Sequence, residues 1–134
     1  MTIYAPGVWD LLHVGHLNFL EAAARAADTL VVGVQSDPGV ELEKGYPPVI
    51  STGQRMRLVA ALRIVHQVTE YERDFLPALN RYQPDILAIG QDWGTEPRHL
   101  DALQWVAQRN GTILRLPRTP GVSTTEIKKR IAQP

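Results

Sequence analysis

Two imidazoles three positions apart, His13 and His16, stand with Gly15 between them at the entrance to a helical pattern that is under way by Leu17. A helix N-terminus offers unpaired N–H groups and the positive end of its dipole, and so favours an anion. A side chain at position 15 would crowd a phosphate approaching that backbone, which gives Gly15 a steric purpose. The dipole disfavours imidazolium while a bound polyphosphate favours it, so both rings can gain or share protons as phosphate arrives. Groups of this kind suit charge stabilisation in phosphoryl-type transfer, where positioning and electrostatics supply most of the catalysis. The competing readings are a metal pair and two structural histidines. With no cysteine and only Asp10 nearby, the metal set is incomplete.

The structural reading weakens because a second phosphate-type segment lies near the other end of the chain, Arg118-Thr119-Pro120-Gly121-Val122-Ser123-Thr124-Thr125. Arg118 can make forked bonds to phosphate oxygens, and the hydroxyls and free N–H groups at a helix start can hold more phosphate. Ser123 is equally suited to capping that helix, and one cap leaves other N–H groups free.

The elements that must position these residues are legible from apolar periodicity. Strands are expected at Thr2–Ala5, Thr29–Gln35, Gln67–Tyr71, Ile86–Ile89 and Thr112–Leu116. Helices are expected at Leu17–Ala27, Arg55–Ile64, Phe75–Tyr82, His99–Arg109 and Thr125–Ala132. The continuous apolar runs Leu30-Val31-Val32-Gly33-Val34 and Ile86-Leu87-Ala88-Ile89 fit parallel strands covered on both faces. Alternation of this kind predicts one α/β domain over residues 1–134, a Rossmann-like, doubly wound, five-stranded parallel sheet. Ligands bind beyond the carboxyl ends of such strands, where the strand order reverses. The segments Gly7–His16, Asp37–Lys44, Gly90–Trp93 and Arg118–Thr125 all follow strands. Two capping boxes are expected, Ser51-Thr52-Gly53-Gln54 and Ser123-Thr124-Thr125-Glu126, and Gly111 reads as a helix stop. Between Asp37 and Gly53 the breakers Pro38, Gly39, Gly45, Pro47 and Pro48 surround Lys44, which predicts a mobile loop over a site.

Composition narrows the partners. Lys plus Arg (14) balance Asp plus Glu (14), so no overall field favours nucleic acid or an anionic membrane, and phosphate attraction must come from local clustering. The absence of cysteine removes disulfides, thiolate metal sites and thiol nucleophiles together. No signal-type leader and no membrane-length apolar run is seen, so a cytoplasmic protein is the expectation. Lys128-Lys129-Arg130 most simply complements the end of the last helix dipole, and His99 reads as a surface residue.

Gly7-Val8-Trp9-Asp10-Leu11-Leu12-His13-Val14-Gly15-His16 resembles the G-x-[FW]-D-L-L-H-x-G-H motif of the HxGH cytidylyltransferases, most of all the bacterial glycerol-3-phosphate enzymes. Arg118–Thr125 resembles their R-T-x-x-[IV]-S-T-T, and Gly90-Gln91-Asp92-Trp93 their G-x-D-W, the turn that borders cytosine. The resemblance implies a nucleotidyltransferase in which a phosphate monoester attacks the α-phosphorus of CTP and pyrophosphate leaves. It implies catalysis by His13, His16 and Arg118, and nucleotide contacts from Gly7, Val8, Trp9, Asp10, Gly15, Lys44, Gly90, Asp92, Trp93, Thr119, Ser123 and Thr124. Asp37, Arg55 and Arg63 would meet the acceptor, Mg²⁺ would accompany the triphosphate, and the protein would be a homodimer. Lys44-Gly45-Tyr46-Pro47-Pro48 is instead similar to the loop of heptose-phosphate adenylyltransferases, so an ATP-using enzyme acting on a sugar or flavin phosphate is the alternative. A nucleotide-binding sensor without turnover is the alternative of another class. The chain departs from the glycerol-phosphate pattern at His66 and across Tyr71–Phe75, two sites that border the acceptor in that family.

Overall fold

Every strand of the sheet carries apolar side chains on both faces, which requires a layer of helices above and below. The computed structural model describes residues 1–133 and has that arrangement. The elements are β1 (Thr2–Gly7), α1 (Val14–Arg25), β2 (Thr29–Gln35), α2 (Asp37–Lys44), α3 (Thr52–Ala60), β3 (Gln67–Tyr71), α4 (Leu76–Tyr82), β4 (Ile86–Gly90), a 3₁₀ turn (Pro97–His99), α5 (Leu100–Gln108), β5 (Thr112–Leu116) and α6 (Thr124–Ala132). All strands run parallel, in the order β3-β2-β1-β4-β5. The doubly wound five-stranded sheet expected from the sequence is therefore present.

Alternation along the strands divides the core in two. Ile3, Ala5, Leu30, Val32, Ile86 and Ala88 pack under Leu20, Ala23 and Val59 of α1 and α3. Tyr4, Val31, Leu87 and Ile89 pack under Leu79, Ala102 and Trp105 of α4 and α5. Chain order reverses between β1 and β4, whose carboxyl ends are Gly7 and Gly90. The crevice that such a reversal opens is where the sheet can receive a ligand.

The expected mobile loop over Asp37–Gly53 is corrected in its first half, which is helix α2. The breakers there are helix punctuation. Ser36 is the N-cap and its Oγ accepts from Gly39 N, Pro38 sits in the first turn, and Gly45 ends the helix with φ 83°. Val40 is buried. The expected Ser51 capping box is also absent, since Ser51 makes no side-chain cap bond. Asp37 and Thr52 instead satisfy each other's helix starts, with Asp37 N donating to Thr52 Oγ1 (2.8 Å) and Thr52 N to Asp37 Oδ2 (3.3 Å). The Ser123 cap is formed, its Oγ accepting from Glu126 N at 3.0 Å.

Gly39 has a packing reason for its identity: a Cβ there would run into the backbone carbonyl of Glu72. Gly39→Ala should lower the unfolding free energy by about 2 kcal/mol, since backbone on one side and helix on the other leave no room to relax. Urea unfolding measures this, and an unchanged midpoint would mean that α2 is not packed on the chain at Glu72.

Candidate active site

The site begins with a local hydrogen-bonding problem. The first N–H groups of α1 have no carbonyl partners within the helix, and the two histidines supply them. His13 Nδ1 accepts from Gly15 N at 3.0 Å, and His16 Nδ1 accepts from His13 N at 3.2 Å. The motif is a capping box built from imidazoles, so the pair has a structural role at the start of α1. Each Nδ1 is an acceptor and therefore unprotonated in the neutral ring, which leaves the hydrogen on each Nε2. The rings stack at 3.8 Å and 21°. Trp9 backs His16 edge-on at 5.5 Å, held by its own bond from Nε1 to Gly33 O at 2.8 Å. Trp9 itself is buried.

The start of α6 faces the same spot. Thr124 Oγ1 donates to Asp10 O at 2.9 Å and lies 3.4 Å from His13 Nε2, in position to accept from it. Thr119 Oγ1 accepts from Asn18 Nδ2 at 3.0 Å, tying the segment before α6 to α1. A Cβ on Gly15 would first meet the His13 ring, at 2.8 and 2.9 Å, so this glycine makes room for the imidazole before it makes room for any phosphate.

Burial pushes the His16 pKa down, and the neighbouring His13 lowers it further, to about 4 against a small opposing effect of Asp10. His13 is lowered by burial as well. Both rings are thus neutral N–H donors at pH 7 in the free protein. An anion placed at their Nε2 atoms would favour the charged ring and raise both pKa values again.

Two cavities adjoin at this end of the sheet. The first, about 430 Å³, is lined by His13, Gly15, His16, Thr119, Ser123 and Thr124, with Tyr46 and Pro48 also in its wall. The second, about 470 Å³, contains Gln35, Glu43, Tyr71, Phe75, Trp93 and Arg98 among its walls. Pro6, Gly7, Val8, Lys44, Gly90 and Arg118 line both and form the shared rim. Arg118 and Asp92 are exposed and 3.8 Å apart, a weak contact in water.

Several expected site residues stand elsewhere or work differently. Arg63 is exposed on the turn between α3 and β3, at the opposite end of the sheet, because α3 runs back from the site towards the strand starts. His66 is at that end too, its Nδ1 accepting from Leu30 N at 3.0 Å, so it does not border an acceptor. Arg55 is fully buried and lines neither cavity. Its guanidinium donates to Ile50 O (2.8 Å), Val8 O (2.7 Å), Gln35 O (2.7 Å) and Asp37 Oδ1 (2.8 Å), clamping the ends of β1 and β2 to the loop before α3. Asp37 is spent on the same clamp; burial pushes its pKa up, and the bonds from Arg55 and Thr52 more than reverse this, leaving it below the usual carboxylate range. Asp10 is buried, with Oδ2 accepting from Val49 N (2.8 Å) and Oδ1 from Ile50 N (2.9 Å). It holds the Gly45–Ile50 loop down beside the histidines. Trp93 lines the second cavity and not the first, stacked on His99 at 4.1 Å and tilted against Phe75 at 5.7 Å. Sequence reasoning missed Glu43, Arg73, Arg98 and His99, all on the second cavity. Reading Ser36-Asp37-Pro38 as a helix start and Gly45 as its stop would have brought Glu43 into view.

Residues 4–130 match the family model described as cytidylyltransferase-like. The chain belongs to that family. Ethanolamine-phosphate cytidylyltransferase of Arabidopsis thaliana is 36% identical over 98% of this chain and 32% of its own length. Bifunctional protein HldE of Methylobacillus flagellatus is 35% identical over 97% of this chain and 27% of its own. FAD synthase of Natrialba magadii is 34% identical over 92% of this chain and 81% of its own. The chain thus spans about a quarter to a third of the first two relatives and most of the third. Membership of this HxGH nucleotidyltransferase family agrees with the two motifs read from the sequence.

Two outcomes check the site. Arg55→Lys keeps the charge but loses the fork, and should cost about 2–4 kcal/mol in urea unfolding without any ligand, because it leaves buried carbonyls unpaired; unaltered stability would return Arg55 to substrate binding. The depressed His16 pKa means that the unfolded chain binds more protons between pH 6.5 and pH 4, so this residue's contribution is intact above pH 6.5 and is lost as pH falls through that window. We expect about 2 kcal/mol less stability at pH 4 than at pH 7 from this residue, its partial exposure allowed for. The difference between the chain and His16→Gln across that range measures it, and parallel curves would refute the depressed pKa.

Proposed function

We propose that this domain transfers a nucleoside monophosphate, CMP from CTP, to a phosphate monoester and releases pyrophosphate. The observation that carries the reading is the stacked imidazole pair, with a hydrogen on each Nε2, in the wall of the first cavity beside the starts of α1 and α6. The triphosphate lies in the first cavity against His13, His16, Thr119, Ser123 and Thr124. The acceptor lies in the second. Its phosphate oxygen attacks the α-phosphorus at the rim formed by Gly7, Val8, Gly90, Lys44 and Arg118. As the new P–O bond forms, the bond from the α-phosphorus to the bridging oxygen breaks, and the electron pair leaves on pyrophosphate. The imidazole donors and Arg118 stabilise the charge that gathers on the equatorial and leaving oxygens, without needing to rearrange as it develops. Family membership and the relative named as a cytidylyltransferase support this reading.

A divalent cation, Mg²⁺, is proposed to accompany the nucleotide. Among the described residues no group of three or more His, Cys, Asp or Glu is placed to hold a metal, and both Asp10 oxygens accept backbone N–H bonds. The cation would therefore be held by the phosphates themselves, in keeping with the preference of Mg²⁺ for phosphate and water over a protein cage. The reading also carries a cytoplasmic homodimer. Among the described residues no helix is long and apolar enough to cross a membrane.

One observation favours a second reading, with ATP as donor. Trp93, the residue taken to mark cytosine, is stacked on His99 and lines the acceptor side, so the nucleoside side carries no cytosine mark from it. A relative named FAD synthase, whose product is an adenine dinucleotide, points the same way. Pyrophosphate release with Mg²⁺, CTP or ATP, and a panel of glycerol, sugar, ethanolamine, choline and flavin phosphates decides between them. Turnover with CTP is expected, falling by about 10²–10³ in His16→Gln. Turnover with ATP alone would replace the donor. Tight nucleotide binding without turnover on any acceptor would leave a sensor.

A further inference from the structure

The second cavity has a charge pattern of its own. Glu43, at the end of α2, is mostly buried, and its Oε1 meets Arg98 Nη1 at 2.9 Å and Arg73 Nε at 3.8 Å. Arg98 also gives its Nε to Glu96 Oε2 at 2.7 Å. Every one of these charges has an opposite partner. An acceptor ending in an ammonium group would require an uncommitted carboxylate here, and one ending in a second anion would require an uncommitted cation. Neither is on offer among these residues; Asp92, on the same wall, is exposed and meets Arg118 at 3.8 Å, and Lys44 and Arg118 stand on the rim beside the first cavity. What the cluster retains is neutral hydrogen-bonding capacity: the spare lone pairs of Glu43 and the spare N–H groups of Arg98.

His99 adds a donor. Its Nδ1 accepts from Gly94 N at 3.0 Å, which leaves the ring hydrogen on Nε2, and the ring is clamped face to face on Trp93. Tyr71, Phe75 and Trp93 supply an aromatic wall, with Tyr71 and Phe75 edge to face at 5.5 Å and Phe75 and Trp93 at 5.7 Å. A wall of C–H-binding rings, faced by paired groups that both donate and accept, is matched by a carbon chain bearing adjacent hydroxyls, each of which also donates and accepts.

We propose that Glu43, Arg98 and His99 read the organic end of the acceptor, and that this end is an uncharged, polyhydroxylated carbon chain or ring. The inference rests on the assignment of the second cavity to the acceptor. An ammonium-bearing phosphate is refused because Glu43 is already neutralised.

The test measures acceptor binding by calorimetry, with and without CTP or ATP, beside turnover. The probes are glycerol phosphate, a pentitol phosphate, hexose phosphates, ethanolamine phosphate and choline phosphate. A polyol or sugar phosphate should bind at least tenfold more tightly than either ammonium phosphate. Glu43→Gln should weaken that acceptor tenfold or more, raising its KM while KM for the nucleotide stays within twofold. Arg98→Gln, which uncovers the Glu43 charge, should move the preference towards ethanolamine phosphate. Thermal unfolding checks that both variants remain folded, and His99→Phe, which keeps the stack on Trp93 and removes the donor, gives a second route if either fails. Preference of the unaltered chain for an ammonium phosphate, no binding of any polyol or sugar phosphate, or an acceptor affinity indifferent to Glu43 and His99 would overturn the inference. Binding that depends on Glu43 without any pyrophosphate release would sustain it and overturn the proposed reaction instead.

Discussion

The first turn of α1 must find partners for N–H groups that the helix cannot satisfy, and here those partners are the two imidazoles. This bond pair sets the rest of the site. It fixes the tautomer of each ring, and with it the identity of the atom that faces the cavity. It brings the rings to 3.8 Å, where two imidazolium charges would repel, so that at most one extra proton is easily held until phosphate arrives. It also places them where the dipole of α1 adds to the field for an anion. Helix capping and tautomer control are therefore one arrangement of atoms, the proposed anion binding rests on the same one, and a substitution at either histidine disturbs both.

Holding that arrangement against the sheet requires a second, buried set of bonds. The loop after α2 brings Val49 and Ile50 N–H groups and the Ile50 carbonyl close to the strand ends, where they have no secondary structure to pair with. Asp10 accepts the two N–H groups and Arg55 donates to the carbonyl, while the same guanidinium reaches Val8, Gln35 and Asp37. A buried arginine is costly unless every direction of its fork is met, and five acceptors meet it, the fifth being Thr52 Oγ1 at 3.3 Å. The charged residues nearest the motif are in this way consumed by scaffolding, which leaves Lys44 and Arg118 as the cations on the shared rim.

The sheet, its helices and the histidine motif at the start of α1 were legible because each announces itself locally. Continuous apolar runs require two covered faces, and His13-Val14-Gly15-His16 sits beside its own helix start. The residues misread are those whose partners are remote. Arg55 and Asp37 look like free charges on paper, and only the fold brings Val8, some 47 positions away, to the guanidinium. Arg63 shares the helical pattern with Arg55, but two more turns carry it to the far end of the sheet. Pro38 and Gly39 are breakers in the interior of an element and starters at its first turn, so a count of breakers cannot distinguish a loop from a short helix. His99 reads in the sequence as a surface residue, and in the fold its neighbours are Trp93 and Gly94, which the intervening turn brings back onto it.

The two cavities differ in how they treat charge, and that difference follows from which elements build them. The first is framed by two helix N-termini, whose aligned N–H groups attract anions whatever the side chains do. The second is framed by the C-terminal end of α2 and the segment from Glu96 to His99, and there the polarity is set by side chains that cancel in pairs. A chain with no net charge can therefore set a cavity framed by helix N-termini directly beside one whose ion pairs cancel, with Lys44 and Arg118 at the boundary. In the proposed reaction, that boundary is the place where a phosphate on the acceptor would meet a phosphate on the nucleotide. Two such anions repel unless cations stand between them, and once they are neutralised there, the remainder of the acceptor is judged by hydrogen bonding alone.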